Sequence, residues 1–596
     1  MPLRMKKAFF LFCSLFFSLL VWSQSEQLAQ NYMDRGEFEK ALIAYEELLK
    51  AQPGNFNFFQ KTIECYQQLQ QFSKAENAIQ DRIDKYKQGN YLVELGYNYQ
   101  LQKNTEKAKK YYEQALEKIK KVPNEVYLIA NTFEKKALVD YALQAYQTGL
   151  SVQPNFNFNF QMAVLYGQKG DTESMIEMYL LESYKNPQNL VPIQFQMSRF
   201  ILDDSKEIFN ETLKKALLIR IQKTQDIFWN EYLSWFYVQM KEYGKAFIQQ
   251  KAIYKRNPES FSNIVNLAQL AIEEKDTETA KEIFNFILVN TKDLDLQIKC
   301  NAYLIELKIS KAASQEYPAI LQELNTLLKQ FGESPYTLSL LKLKAHFVTF
   351  NLKDAEKGKA ILKNVLEMPI NRDQTAEIKM ELADMLLFEE KFNQALIYYS
   401  QIESDANNSP IGQEANLKIA KTSYYKGDFK WANHQLEVLK SASTQLIAND
   451  ALDLFLLISD NTVEDSTQVA LKKFSRADYL LFQDKKQDAL AAFQAILKEN
   501  KGDAIEPVTL LRIGKIYESL GDTSSALANY KQIIDNFKEC IYIDEALFFS
   551  AEIYFQLNDA VMAQPLYEDI ITNHEDSIYY VLAQKKYRKL RGDKEI

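Results

Sequence analysis

Three histidines, His346, His434 and His574, are the only imidazoles in a chain of 596 residues. Each stands alone within a helical pattern, far from the other two. His574-Glu575 opens like the helix of a zinc protease, in which a second histidine four residues on completes the ligand pair. Ile578 occupies that place. The sequence has no Gly-x-Ser-x-Gly elbow and no Gly-Lys-Ser/Thr phosphate loop, so it lacks the usual marks of a serine nucleophile and of a nucleotide cradle. Cys13, Cys65, Cys300 and Cys540 are too widely spaced for a metal site. The last three lie among apolar helical residues and read as buried free thiols. These observations predict no catalytic residue, no cofactor and no metal.

The chemistry that remains is binding. Asn98, Asn131, Gln161, Asn266, Gln269, Lys418 and Lys515 fall at positions that helical periodicity places on exposed faces. Amides both donate and accept, so they suit the backbone of an extended peptide, whose own polar groups lose water on binding. Those faces must be positioned by the helices that carry them.

The helices recur. Ala41, Ala75, Ala108, Ala142 and Met175 follow one another at about 34 residues. An aromatic residue follows four positions later at Tyr45, Tyr112, Tyr146 and Tyr179, and a second series runs Tyr32, Tyr66, Tyr99, Phe133 and Tyr166. Ala142, Tyr146 and Gly149 share one helix face, and Ala130 and Phe133 share another. Small residues alternating with aromatic ones let two helices approach and interlock. Pro53, Pro154 and Pro187 close units, because proline cannot continue a helix. After Asp354 the interval lengthens to about 37 residues, as between Ala489, Ala526 and Ala563. The rhythm blurs over Leu190–Thr224 and Lys292–Phe350. Between Ala432 and Ala489 a helix, Leu446–Ser459, and a polar loop, Asp460–Thr467, interrupt it.

This pattern resembles the tetratricopeptide repeat (TPR). The resemblance implies an all-α solenoid of helix–turn–helix units, a right-handed superhelix of about fourteen or fifteen repeats in two arms. The expected division is a leader at 1–23, a first array at 24–291, an irregular helical hinge region at 292–374, a second array at 375–576, and a capping helix and tail at 577–596. First helices of TPR pairs line the concave surface, which puts the amides and lysines named above on it. The Lys-x-x-x-Asn clamp by which some TPR domains hold an acidic C-terminus is missing from the first helices, since Lys185 and Asn189 straddle Pro187.

Arg4, Lys6 and Lys7 precede the apolar run 8–22, and Val21-Trp22-Ser23 fits cleavage before Gln24. That arrangement reads as a secretory signal peptide. Its removal makes the formal charge of −8 more negative still. An acidic surface repels nucleic acid and anionic lipid, so neither is expected as a partner, nor is membrane insertion after cleavage. The second array resembles exported bacterial TPR proteins, among them the Tol-Pal-associated periplasmic protein and the TPR lipoprotein of the β-barrel assembly machinery. Asp465-Ser466-Thr467 and Asp576-Ser577-Ile578 resemble the short O-glycosylation motif of exported Bacteroidetes proteins. The expectation is a non-enzymatic scaffold for envelope proteins or peptides, in the periplasm or against the outer membrane. The competing expectation is a periplasmic receptor for soluble peptides or glycans.

Overall fold

The alternation of small and aromatic residues has a direct structural counterpart. In the computed structural model, which describes residues 25–201, 207–258, 260–406, 409–440, 445–462 and 468–592, the chain is built from helices packed in successive antiparallel pairs. No strand occurs among the described residues. The chain falls into two compact units, Met1–Leu233 and Ser234–Ile596. Each is an all-α solenoid in which a helix packs chiefly on its neighbours in sequence.

In two pairs, the second helix sets a tyrosine over a gap in the first. Gly96, in helix Asn90–Leu101, has no side chain beneath Tyr112 of helix Thr105–Lys121, and a Cβ there would lie 2.5 Å from the ring. Gly514 of helix Glu506–Ser519 bears the same relation to Tyr530 of helix Thr523–Asn536. The buried phenol then needs an acceptor. Tyr146 donates to Glu134 at 2.7 Å, Tyr530 to Glu518 at 3.0 Å and Tyr567 to Glu552 at 2.6 Å. Burial and the neighbouring carboxylate raise the pKa of all three tyrosines.

The turn inside each pair repeats one hydrogen-bond scheme. The backbone N–H of Glu37, Asn104, Leu138, Asp171, Asp522 and Asp559 reaches back to the carbonyl of Tyr32, Tyr99, Phe133, Tyr166, Tyr517 and Tyr554. This is the closure of a left-handed helix C-cap. The residue in the left-handed conformation is Gly170 or Gly521 in some turns, but Lys103 or Ala137 in others. Asn104, Asp171, Asp522 and Asp559 then cap the second helix with their side chains.

The blurred zones are helical too. Leu190–Ile201 and Glu207–Thr224 form the pair expected over 190–224, while Asp203 and Asp204 lie outside the described residues. The zone 292–350 holds helices Leu294–Lys311 and Tyr317–Phe331, then Leu338–His346, which continues as a π-turn over Phe347–Asn351. Its apolar residues share one core with the repeats that follow, from Ile298 to Tyr479. The final helix is Tyr580–Arg591. Residues 1–23, where the sequence reading expects a leader, lie outside the described residues.

Cys65 and Cys300 are buried and free, as the sequence predicts, and Cys540 is free but only half-buried. Burial pushes the Cys65 thiol up to about 11 and Cys300 to about 12. Both are expected to resist a thiol-specific reagent at pH 8 in the folded chain and to react fully in denaturant, as followed by mass spectrometry. Gly514→Ala is expected to lower stability by about 1–3 kcal/mol despite alanine's better helix propensity. Adding Tyr530→Leu should recover part of that loss in urea unfolding.

Candidate functional site

Along the second unit, successive first helices are tied together by side-chain ion pairs about one repeat apart in sequence. Lys342 of helix Leu338–His346 meets Glu377 of helix Arg372–Phe388 at 3.2 Å, and His346 Nδ1 lies 2.8 Å from Glu381. Lys418, of helix Pro410–Lys426, reaches back to Asp384 at 2.6 Å, and Asp384 also accepts the Tyr399 hydroxyl. Lys515 meets Glu545 of helix Ile543–Gln556 at 3.0 Å, and Lys586 meets Glu552 at 2.5 Å. Most members are partly solvated, and such pairs are worth at most about 1 kcal/mol each. Their main effect is to fix which side chains face each other.

The ladder is displaced at one place. The long interval between Ala432 and Ala489 contains an extra helix, Gln445–Asp460, packed on helix Phe429–Leu439 through Ala451 and Ile458. The next helix, Val469–Phe482, passes it by and rejoins the preceding repeats. Tyr479 donates to the Leu387 carbonyl at 2.6 Å, Gln483 to the Phe388 carbonyl at 2.8 Å, and Arg476 pairs with Glu390 at 2.7 Å. Tyr424 then reaches Asp478 at 2.9 Å. The extra helix is left beside helix Glu506–Ser519, and the space between them is a cavity of about 740 Å³.

Its walls carry both charge and apolar surface. Leu454, Leu457, Leu481, Phe482, Val508 and Leu511 supply the apolar part. Arg512 Nε stands 3.2 Å from Asp478 Oδ1, outside good hydrogen-bond alignment. The Asp478 side chain is 12% exposed, and burial raises its pKa against the opposing pull of Arg512 and Tyr424. Asp478 in turn raises the pKa of Arg512, so the guanidinium stays charged. Lys421 on one wall pairs with Asp450 of the extra helix at 2.9 Å. Asp453, one turn on, has no ion-pair or hydrogen-bond partner among the described residues. Its pKa is raised, by burial first and then by Glu545 and Asp450.

The residues predicted from sequence are scattered over both units. Asn98 is a correction: it lies on a first helix but is 0% exposed, donating to the Phe72 carbonyl at 3.1 Å and accepting from Gln67 at 3.4 Å. Its amide satisfies backbone and side chain inside the core. Asn131 and Gln161 are half-buried, and Asn266 and Gln269 are exposed on helix Ser262–Glu273. Lys418 and Lys515 are on first helices as expected, but both are held in the ladder. Arg512, Asp478 and Asp453 were not singled out, although the long interval that creates their cavity is visible in the sequence. Of the glycosylation motifs, 465–467 lies outside the described residues, and the Ser577 hydroxyl is occupied by Asp544 at 2.6 Å. Among the described residues no group of three or more histidine, cysteine or carboxylate side chains could hold a metal ion.

Family models for the tetratricopeptide repeat match residues 26–55, 89–117 and 509–539. These three stretches are tetratricopeptide repeats. Each match covers a helix pair or most of one, and the TPR at 509–539 contains the Gly514–Tyr530 contact. No curated protein matches the chain. Solved structures similar to it include a chain of Naa15/Naa10 bound to HypK-THB, at 13% identity over 96% of each chain with a TM-score of 0.28. The hetero-tetramer APC/C Cut9-Hcn1 is similar at 12% identity, over 96% of this chain and 98% of that one, with a TM-score of 0.25. Yeast Tom70 is similar at 14%, over 82% of this chain and 100% of its own, with a TM-score of 0.29.

Asp384 offers a direct test of the ladder. Asp384→Ala leaves Lys418 and the buried Tyr399 phenol without their acceptor, and should cost about 1–3 kcal/mol in urea unfolding. Combining it with Tyr399→Phe should cost less than the two single changes added together.

Proposed function

We propose that the chain is a non-enzymatic TPR scaffold that holds other proteins together in a bacterial cell envelope, in the periplasm and next to the outer membrane. The observation that carries the reading is the first-helix face of the second unit. There, unpaired and partly paired polar groups surround a cavity with apolar walls, the composition of a protein-binding surface. The TPRs at 26–55, 89–117 and 509–539 support an interaction role along the chain. Support for export is the basic, then apolar, then small-residue order of 1–23. Among the described residues no helix is long and apolar enough to cross a membrane. Partners are envelope proteins or their extended segments.

A second reading is a periplasmic receptor for a soluble peptide or glycan. The cavity favours it, since about 740 Å³ falls within the range of small-ligand sites.

The deciding experiment is affinity purification of the tagged chain from cross-linked cell envelopes, followed by mass spectrometry. One or a few envelope proteins in fixed ratio, with a bait that begins at Gln24, is the expected result. Bait recovered alone from the envelope would favour the receptor. Bait found in the cytosol with residues 1–23 intact would overturn the compartment.

A further inference from the structure

The cavity between the extra helix and helix Glu506–Ser519 holds opposite charges that do not satisfy each other. Arg512 has five N–H donors, and among the described residues only Asp478 lies within ion-pair distance of it, through Nε. Its two terminal nitrogens have no protein acceptor there. Lys486, which also lines the cavity, has no carboxylate partner among the described residues. Across from them Asp453 makes no ion pair or hydrogen bond among the described residues, whereas Asp384, Asp450 and Glu545 are each paired. Lys515 and Arg512 are close enough to influence Asp453, and neither pairs with it. Two phenols, Tyr425 and Tyr542, also line the space without a hydrogen-bond partner among the described residues. A ladder that pairs charges elsewhere leaves one cationic pole and one anionic pole open at this cavity.

From this geometry we infer that the cavity binds an extended peptide segment that carries a carboxylate and, within a residue or two of it, an ammonium or guanidinium group, beside an apolar side chain. The carboxylate lies against the free edge of the Arg512 guanidinium, where two parallel N–H donors match its two oxygens. The cationic group lies against Asp453. The apolar side chain fills the space between Leu454, Leu457 and Phe482. Specificity arises from both poles together. A purely acidic segment would press a second anion against Asp453 and Glu545, and a purely basic one would face Arg512, Lys486 and Lys515.

This inference rests on the scaffold reading and names the chemistry of its partner at one site. The test uses the purified chain and synthetic pentapeptide amides displayed on an array. They carry leucine or phenylalanine with a Glu–Lys pair, two glutamates, two lysines, or neutral isosteres. The expected result is retention of the Glu–Lys set at least about tenfold over the others. Asp453→Asn should abolish that preference, and Asp453→Lys should shift it to the two-glutamate set, which loss of packing alone would not do. Asp453 has no structural partner among the described residues, so these variants are expected to keep the wild-type melting temperature. Arg512→Gln would leave Asp478 unpaired, and it is informative only as a second variant that passes the same melting check. Equal retention of all four sets, or a Glu–Lys preference unchanged in Asp453→Lys, would overturn the inference. Neither result touches the scaffold reading, which fails instead if the wild-type chain recovers no envelope protein from cross-linked cells.

Discussion

A tyrosine of the second helix seated closely on the first, over a missing side chain at Gly96 and Gly514, sets the spacing within those repeats. A repeat in a solenoid buries its apolar face only against its neighbours, so every interface must define its own geometry. Where Tyr530 lies over Gly514, the ring fixes the distance between the two helices. The hydroxyl fixes their register by reaching Glu518. Gly96 with Tyr112 repeats the packing, and Tyr146 with Glu134 and Tyr567 with Glu552 repeat the hydrogen bond. Phenylalanine could supply the first constraint but not the second, which accounts for the recurrence of tyrosine at these positions.

That dependence explains what could be read from the sequence. Ala41, Ala75, Ala142, Ala395, Ala432, Ala526 and Ala563 recur because each one is in a close helix contact, and each is fully buried. Periodicity reports burial of apolar residues well. It reports polar residues less well, because one helix face can carry a solvated amide in one repeat and a buried one in the next. Asn98 shows the difference: its neighbours Gln67 and Phe72 come from the preceding repeat, and nothing local marks their approach. Lys418 and Lys515 are visible as cations, whereas their partners lie a repeat away. The candidate cavity was the least legible part. Its acids and bases come from six separate helices brought together by an insertion whose length could be counted but whose path could not.

The insertion also shows how a repeat array acquires a site without a catalytic motif. Helix Val469–Phe482 keeps the stack continuous by packing back on the turn at Leu387–Glu390 through Tyr479, Gln483 and Arg476. The extra helix Gln445–Asp460 is then not required for stacking onward. It lends one wall, with Asp450 and Asp453, to a groove whose other wall is an ordinary repeat. Arg512 meets Asp478 there only through Nε, at 3.2 Å, and the surplus valence of its guanidinium follows from that one-sided contact.

A competing surface exists on the second helices, where Ile43, Ile248 and Ile397 stand two residues after the signature alanine and are 61%, 56% and 57% exposed. Photocrosslinking in intact cells separates the two faces. A benzophenone amino acid would be placed in turn at the exposed first-helix positions Asn266 and Gln269 and at the second-helix positions Ile248 and Ile397. The scaffold account predicts discrete adducts with partner proteins from the first-helix positions and none from the second-helix ones. Adducts formed only through Ile248 and Ile397 would contradict it.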